Sequence, residues 1–474
     1  MAYGLLSTEI LTAIIGLLLL VVGLIFSRSG QKISGLLGIV AMLVVLAITI
    51  LDFGAQQIYF DGVYQVDPFS SFFKIVFIAA ALLVMLMGDE YGGRFAERGS
   101  EFNAFLILAT VGMMLLASAG DLITAYLGLE LMTITFYILT AYLKDDAISA
   151  EAGMKYLILG AVSSGILLFG ISLVMAMSGT TIITDIAISF SATPAMLAGI
   201  VLIIAGFGFK IALMPFHMWS PDIYQGAPTP VTTFLAVGSK AAALAIMVRV
   251  MILAFPLPEF NWAIILAVLA AITIVAGNLI AMAQKNVKRM LAYSSIAQAG
   301  YMLAGLVAAN EMGLQGLLFY ALLYVFSNSG AFAIVIGVEN AKGSSDRTAF
   351  NGLARRSPFM AMVMTVCLLS LAGIPPLAGF VGKFFIFSGV ISAGYLWLTI
   401  VALIMSMISV YYYLLVVKAM YIGEDEEAES SQPLSTGYSA RIAMWVCLIG
   451  TILMGIYPQP LAQMAAIAVS GLFM

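Results

Sequence analysis

Four ionisable residues lie in the middle of long apolar runs. Glu130 sits within LITAYLGLELMTITFYILTAYL, Lys210 within AGFGFKIALMPFHMW, Lys240 within TTFLAVGSKAAALAIMV and Lys383 within PPLAGFVGKFFIFSGV. If those runs cross a bilayer, each such side chain costs about 2.5–3.5 kcal/mol on insertion scales. Removal from water disfavours the charged form of either type, so a buried lysine releases a proton more readily and a buried carboxylate retains one. A Glu/Lys pair whose separation changes is then a switchable proton site. The alternative is pairing as glue between helices, but three lysines and one glutamate cannot all pair off. Lys74 is different: it follows Asp67 by seven residues, within snorkelling reach of the outer interface, and reads as an anchor in preference to a relay.

Two of the runs are interrupted in a similar way. Pro215, Pro221, Pro228 and Pro230 follow Lys210, while Gly373, Pro375, Pro376 and Gly379 precede Lys383. Irregular backbone survives at membrane depth only where protein or water satisfies the freed groups, so both breaks are expected to face a polar interior. A simple proline kink is the alternative for either break alone. His217, in MPFHMWSPDIYQGAPTP near Trp219 and Asp222, reads either as a relay towards the cytoplasm or as a structural histidine. Tyr293, Ser294, Ser295 and Gln298, in KRMLAYSSIAQAGYM, either line a hydrated passage or act as polar glue between helices.

Other chemistries find no support. One histidine cannot supply a bis-histidine haem, and Cys367 and Cys447 lie in apolar runs with no C-x-x-C partner, too few for an iron–sulfur cluster. No Gly-rich phosphate loop, metal-ligand cluster or nucleophile with an adjacent base is present, and no basic stripe suggests nucleic acid.

The elements that must position these residues follow from composition. With 63% hydrophobic and 9% charged residues in 474, the chain lies far from soluble domains, which are about one quarter charged. It reads as an all-α, polytopic membrane protein with the lipid bilayer as its solvent, and the long apolar runs exclude a barrel. Spans fall near 8–26, 33–51, 67–87, 103–119, 122–143, 156–178, 196–214, 228–253, 261–283, 293–309, 312–338, 358–387, 395–421 and 441–457, about fourteen in all. The first lacks a basic start and a cleavage site, so it reads as a span and not a leader. The tail from Pro458 to Met474 is apolar but short. With the N-terminus outside, inward loops hold 15 of the 20 basic residues, among them Arg28, Arg94, Arg98, Lys144, Lys285, Lys288, Lys342 and Arg441. The broken spans are the seventh and twelfth, the offset expected if spans 4–8 and 9–13 form an inverted repeat of two five-helix units. The organisation is then a three-helix segment, 1–102; a first repeat, 103–255; a second, 256–423; and an acidic loop with a last helix, 424–474. The acidic run Glu424–Glu429 reads as a solvated cytoplasmic loop, a metal or partner site being the alternative.

The stretches PFHMWSPDIYQGAPTPV, KNVKRMLAYSSIAQAGYM and LAGIPPLAGFVGKF resemble those of the antiporter-like subunits of bacterial respiratory complex I, the NADH:quinone oxidoreductase. The likeness covers nearly the whole chain. It is to the compact members, which lack a long C-terminal lateral helix and carry lysine after the PP break. The resemblance implies a proton-translocating subunit of the bacterial inner membrane without a redox centre, with flavin, iron–sulfur clusters and quinone held by other subunits. It implies other membrane subunits, including paralogous antiporter-like ones, as partners. Carried over by motif, Glu130 is the carboxylate of the fifth span, Lys210 its partner, Lys240 the connecting lysine and Lys383 the terminal one. Where several paralogues have histidine in the YSSI motif this chain has Gln298, which can orient water but not titrate. Subunits of multi-subunit sodium/proton antiporters or membrane-bound hydrogenases share these motifs, and a purely structural spacer is the reading from another class.

Overall fold

In lipid, every backbone N–H and C=O must find a partner within the protein, and helices achieve this segment by segment. The computed structural model describes residues 4–25, 28–91, 95, 98–423, 434 and 436–473, and these are overwhelmingly helical. The helices are α1 (Ser7–Ile25), α2 (Arg28–Leu51), α3 (Pro68–Glu90), α4 (Gly99–Ala117), α5 (Leu122–Thr140), α6 (Ala147–Ser178), α7 (Pro194–Lys210), α8 (Trp219–Gly226), α9 (Thr229–Leu253), α10 (Trp262–Met282), α11 (Val287–Val307), α12 (Glu311–Lys342), α13 (Pro358–Ala372), α14 (Ala378–Ser392), α15 (Leu396–Ile422), α16 (Tyr438–Ile456) and α17 (Gln459–Ser470). A short helix, Ile183–Ile188, joins α6 to α7. Among the described residues eleven helices are long and apolar enough to cross a membrane, and four shorter apolar ones include α7, α13 and α14.

The apolar runs of the sequence fall on these helices, with 358–387 divided between α13 and α14. Helix ends differ more. α6 begins at Ala147 and α11 at Val287, earlier than the apolar runs, and takes in Glu151, Lys155, Lys288 and Arg289. Hydropathy marks the part of a helix in hydrocarbon, whereas the helix itself continues into water, where charges near its end are tolerated. The tail from Pro458 contains α17, packed against α3 and α12. The acidic run at 424–429, like Arg94, lies outside the described residues.

Burial is uneven. α9, α11 and α12 are enclosed by other helices, whereas α1, α6, α15 and α16 show apolar outer faces through residues such as Leu24, Phe169, Met407 and Trp445. The helices with the least access to lipid therefore carry Lys240 and the YSSIAQ stretch. At one end, β1 (Gln57–Tyr59) and β2 (Tyr64–Val66) form an antiparallel hairpin with Ile58 opposite Gln65, an element that no apolar run announces.

The hairpin bears on Lys74, which does not reach an interface. It is 1% exposed, and its Nζ pairs with Glu9 of α1 at 2.5 Å. Tyr64 of β2 donates to the same Glu9 oxygen at 2.6 Å, and Thr8 to the other at 2.7 Å. The anchor reading fails because a carboxylate on the neighbouring helix supplies the counter-charge that water would otherwise provide. Arg249 of α9, 1% exposed, similarly pairs with Asp67, the residue that caps α3.

Candidate functional site

Each of the two expected breaks ends a helix beside a lysine. α7 stops at Lys210, and the chain runs irregularly to Trp219 with Ala212 at positive φ. The freed groups are satisfied by protein: Trp219 Nε1 donates to Phe209 O at 2.7 Å, and Met214 N donates to Thr273 Oγ1 of α10 at 3.0 Å. α13 ends at Ala372, and Gly373 takes the left-handed φ of 86° that side chains disfavour. There the lysine itself satisfies the helix end. Lys383 Nζ donates to Leu371 O at 3.0 Å, Ala372 O at 3.1 Å and Ser406 Oγ of α15 at 2.8 Å. An ammonium at the carbonyl end of a helix also meets the negative pole of its dipole. The tight turn requires Gly379, where a Cβ would lie 1.7 Å from Ser370 O. In both breaks protein groups meet freed backbone atoms, while Pro215, Met218, Pro375 and Pro376 themselves are exposed, so the breaks face the interior only in part.

All three lysines are too deeply buried to snorkel: Lys210 is 2%, Lys240 0% and Lys383 4% exposed. None has a carboxylate within 4 Å among the described residues. Lys210 Nζ donates instead to Thr133 Oγ1 at 2.9 Å. Thr133 lies one turn beyond Glu130 on the same face of α5, so Lys210 of α7 reaches the face that carries its expected partner without contacting it. Glu130 Oε1 is buried without a hydrogen-bond partner. Lys210 thus meets the Thr133 hydroxyl, and no ion pair joins its ammonium to the Glu130 carboxylate among the described residues.

Lys240 follows a π-helical turn, Leu235–Ser239, in α9. One extra residue in a turn redirects the side chains after it, and such turns recur at functional sites. Lys240 Nζ donates to Ser295 Oγ of α11, with the Tyr224 ring 5.5 Å from the ammonium. Adjacent Ser294 is hydrogen-bonded to Tyr413 of α15 at 2.5 Å. Gln298, one turn on, is a junction: its Nε2 donates to Tyr413 Oη at 3.3 Å and to Leu371 O at 3.0 Å, and its Oε1 accepts from Tyr320 of α12 at 2.6 Å. Leu371 O is also an acceptor for Lys383, so Gln298 and Lys383 meet on one carbonyl. Polar groups therefore run from Lys240 through α11 to Lys383.

Two expected residues stand apart. Tyr293 is only partly buried and lies under the Arg289 guanidinium at 6.0 Å; the residues that turn inward on α11 are its neighbours at other angles of the helix. His217 is half-buried in the first break, its Nδ1 3.3 Å from Pro215 O. It is not bonded to Asp222, which is bound by Arg289 at 2.7 Å and Lys155 at 3.5 Å. Burial pushes the Asp222 carboxyl up, but those two cations outweigh it and hold the group below the usual value. Thr133, Ser406, Tyr320 and Tyr413 escaped the sequence reading, because hydroxyl residues are frequent in these spans. The single usable signal was Thr133, three residues from Glu130 on one helix face.

The sequence family described as NADH:quinone oxidoreductase/Mrp antiporter, TM, matches residues 119–409. NADH-quinone oxidoreductase subunit N of Heliobacterium modesticaldum is 47% identical, the alignment covering 100% of both chains. Among solved structures, a chain of respiratory complex I from Thermus thermophilus is 33% identical with a TM-score of 0.81, covering 97% of this chain and 99% of that one. A chain of the Mrp complex from Dietzia shares the fold alone, at 20% identity and a TM-score of 0.88, over 98% and 97% of the two.

Proposed function

Because the chain belongs to the NADH:quinone oxidoreductase/Mrp antiporter transmembrane family, we propose that its buried line of charges is a proton path. The chain is a proton-translocating membrane subunit of an NADH-quinone oxidoreductase of the complex I type. Protons pass along Glu130, Lys210, Lys240 and Lys383, and the chain performs no redox step itself. The observation that carries this reading is the meeting of Gln298 and Lys383 on the Leu371 carbonyl, which joins the YSSIAQ helix to the second break. Flavin, iron–sulfur clusters and quinone belong to other subunits. Neighbouring membrane subunits, paralogous antiporter-like ones among them, supply the drive electrostatically, since a charge brought near a poorly screened lysine shifts its proton affinity strongly. Fourteen crossings, with residues 103–255 and 256–423 as inverted repeats and the N-terminus outside the bacterial inner membrane, put both breaks at mid-depth.

Neutralising Lys210 tests the path. Lys210→Ala in the assembled complex should abolish or sharply reduce proton pumping with assembly retained, whereas a spacer subunit would pump normally. The isolated chain in liposomes should show no NADH or quinone activity and at most a slow leak. Directional proton uptake by the chain alone, without an imposed gradient, would overturn the reading. The sodium/proton antiporter alternative is less favoured, since identity to the Mrp chain is 20% against 47% for the quinone oxidoreductase relative.

A further inference from the structure

A slot lies beside the first break. Between α6, α7 and the break, Leu159, Val162, Ile166, Phe209, Met218 and Trp219 line a cavity of about 240 Å³. That is far more than the roughly 30 Å³ that a water takes up in the liquid, and apolar walls give water no partners. Apart from Ser163, whose Oγ donates to Gly206 O at 3.4 Å, the walls are apolar. The slot opens sideways, with Val162 59% and Met218 73% exposed, on a flank that hydrocarbon covers in the fourteen-span arrangement. Inside it, the Phe209 and Trp219 rings stack with centres 5.4 Å apart, and the Phe209 ring centre is 5.7 Å from Lys210 Nζ.

The cytoplasmic rim of the slot is charged. Lys155 precedes Leu159, Val162 and Ile166 on the same face of α6, and Asp222 lies one turn beyond Trp219 on α8. Lys155 joins the two helices, pairing with Asp222 at 3.5 Å and with Glu151 at 2.7 Å, while Arg289 of α11 binds Asp222 at 2.7 Å. α6 has 32 residues, about 48 Å of helix against a hydrocarbon core of about 30 Å, so its first turns, with Lys155, stand at headgroup level. Two cations and two carboxylates balance there, which suits a headgroup with one charge of each sign over an anionic one. Of the three N–H donors of the Lys155 ammonium, two face carboxylates and the third can meet a phosphate. The Glu151 side chain, 63% exposed, can accept from a lipid ammonium. We propose that the slot binds a zwitterionic phospholipid of the cytoplasmic leaflet, with an acyl chain in the cavity and the headgroup on Lys155 and Glu151. The tail rests on the Phe209–Trp219 stack and so steadies the end of α7 that presents Lys210. The binding stands apart from the proton path, whereas the steadying rests on the reading of Lys210 as a proton carrier.

The test reconstitutes the assembled complex in vesicles of phosphatidylethanolamine and phosphatidylglycerol. A trace of one or the other lipid carries a diazirine on its acyl chain, and the photoadducts are mapped by peptide mass. Phosphatidylethanolamine should label 159–166 and 215–219 more densely than the exposed face of α15 around Met407, and phosphatidylglycerol should label them less. Val162→Trp, which fills the slot with an indole from an exposed position, should lose those adducts and keep those on α15. Glu151→Gln leaves the rim with a net positive charge and should shift the preference towards phosphatidylglycerol. Adducts no denser in the slot than on α15, or unchanged in Val162→Trp, overturn the site, as does a density map of the complex with a neighbouring subunit's side chain in the slot. Equal labelling of the wild type by the two lipids overturns the headgroup assignment. Donor-driven pumping by the wild type should fall in vesicles made without phosphatidylethanolamine, and pumping by Val162→Trp should not. An equal response of the two overturns the steadying of Lys210. A Lys210→Ala complex that pumps normally overturns the proton-carrier reading instead, and the labelling then still decides the binding site.

Discussion

Replacing Lys383 separates a proton carrier from a structural pin. The side chain donates to Leu371 O, Ala372 O and Ser406 Oγ at 2.8–3.1 Å, and its Nζ lies 4.6 Å from the centre of the Tyr301 ring. Lys383→Met removes three charge-assisted hydrogen bonds, each worth about 1.5–3 kcal/mol. No carbonyl is orphaned, because Leu371 O keeps Gln298 Nε2 at 3.0 Å and Ala372 O keeps Ser406 Oγ at 2.9 Å. The substitution also removes an ammonium without a carboxylate partner from a low-dielectric interior, which returns several kcal/mol. The two terms nearly cancel, so stability should change by no more than about 2 kcal/mol. The complex is expected to assemble and melt near the wild-type temperature, while donor-driven acidification of proteoliposomes, followed with a pH-sensitive dye, is lost. Lys383→Arg restores the charge but should not restore pumping, because a guanidinium stays protonated in proteins. A fully active Lys383→Arg complex would refute proton release at this position, and a Lys383→Met complex that falls apart would refute the stability argument.

Glu130→Ala and Lys210→Ala should each impair pumping, and the double variant should lose less than the sum, since both act through the same gap at Thr133; strict additivity would mean that the two do not communicate. Lys74→Met strands the Glu9 carboxylate in the interior and should destabilise by about 3–5 kcal/mol, read as a lower melting temperature of the complex, and Glu9→Gln in the same chain should recover most of it. A Glu9→Gln/Lys74→Met chain no more stable than Lys74→Met alone would show that the stranded charge is not the cause. Reporter fusions at Arg98, Lys288 and Lys342 should report cytoplasm and those at Gln57 and Asp185 the outside, with reversal at two sites excluding the fourteen-span arrangement.

Composition and hydropathy alone determined that this chain is a bundle of apolar helices, because only helices and closed barrels satisfy a backbone in lipid and apolar runs this long exclude the barrel. Residue type and spacing likewise determined the ionisable set, since a charge in an apolar run is conspicuous whatever packs beside it, and they located both breaks through Pro and Gly. Sequence was silent on partners. Glu9 lies near the start of a span and looks like an end charge until α1 is laid against α3, where it is the counter-ion of Lys74. Tyr413, in a run of three tyrosines, gains its role only where α15 crosses α11. The gap between Glu130 and Lys210, the π turn before Lys240 and the carbonyl shared by Gln298 and Lys383 were decided by tertiary structure. Each depends on angstrom-scale packing between segments far apart in the chain, whereas a hydropathy pattern records only which face of each helix avoids water.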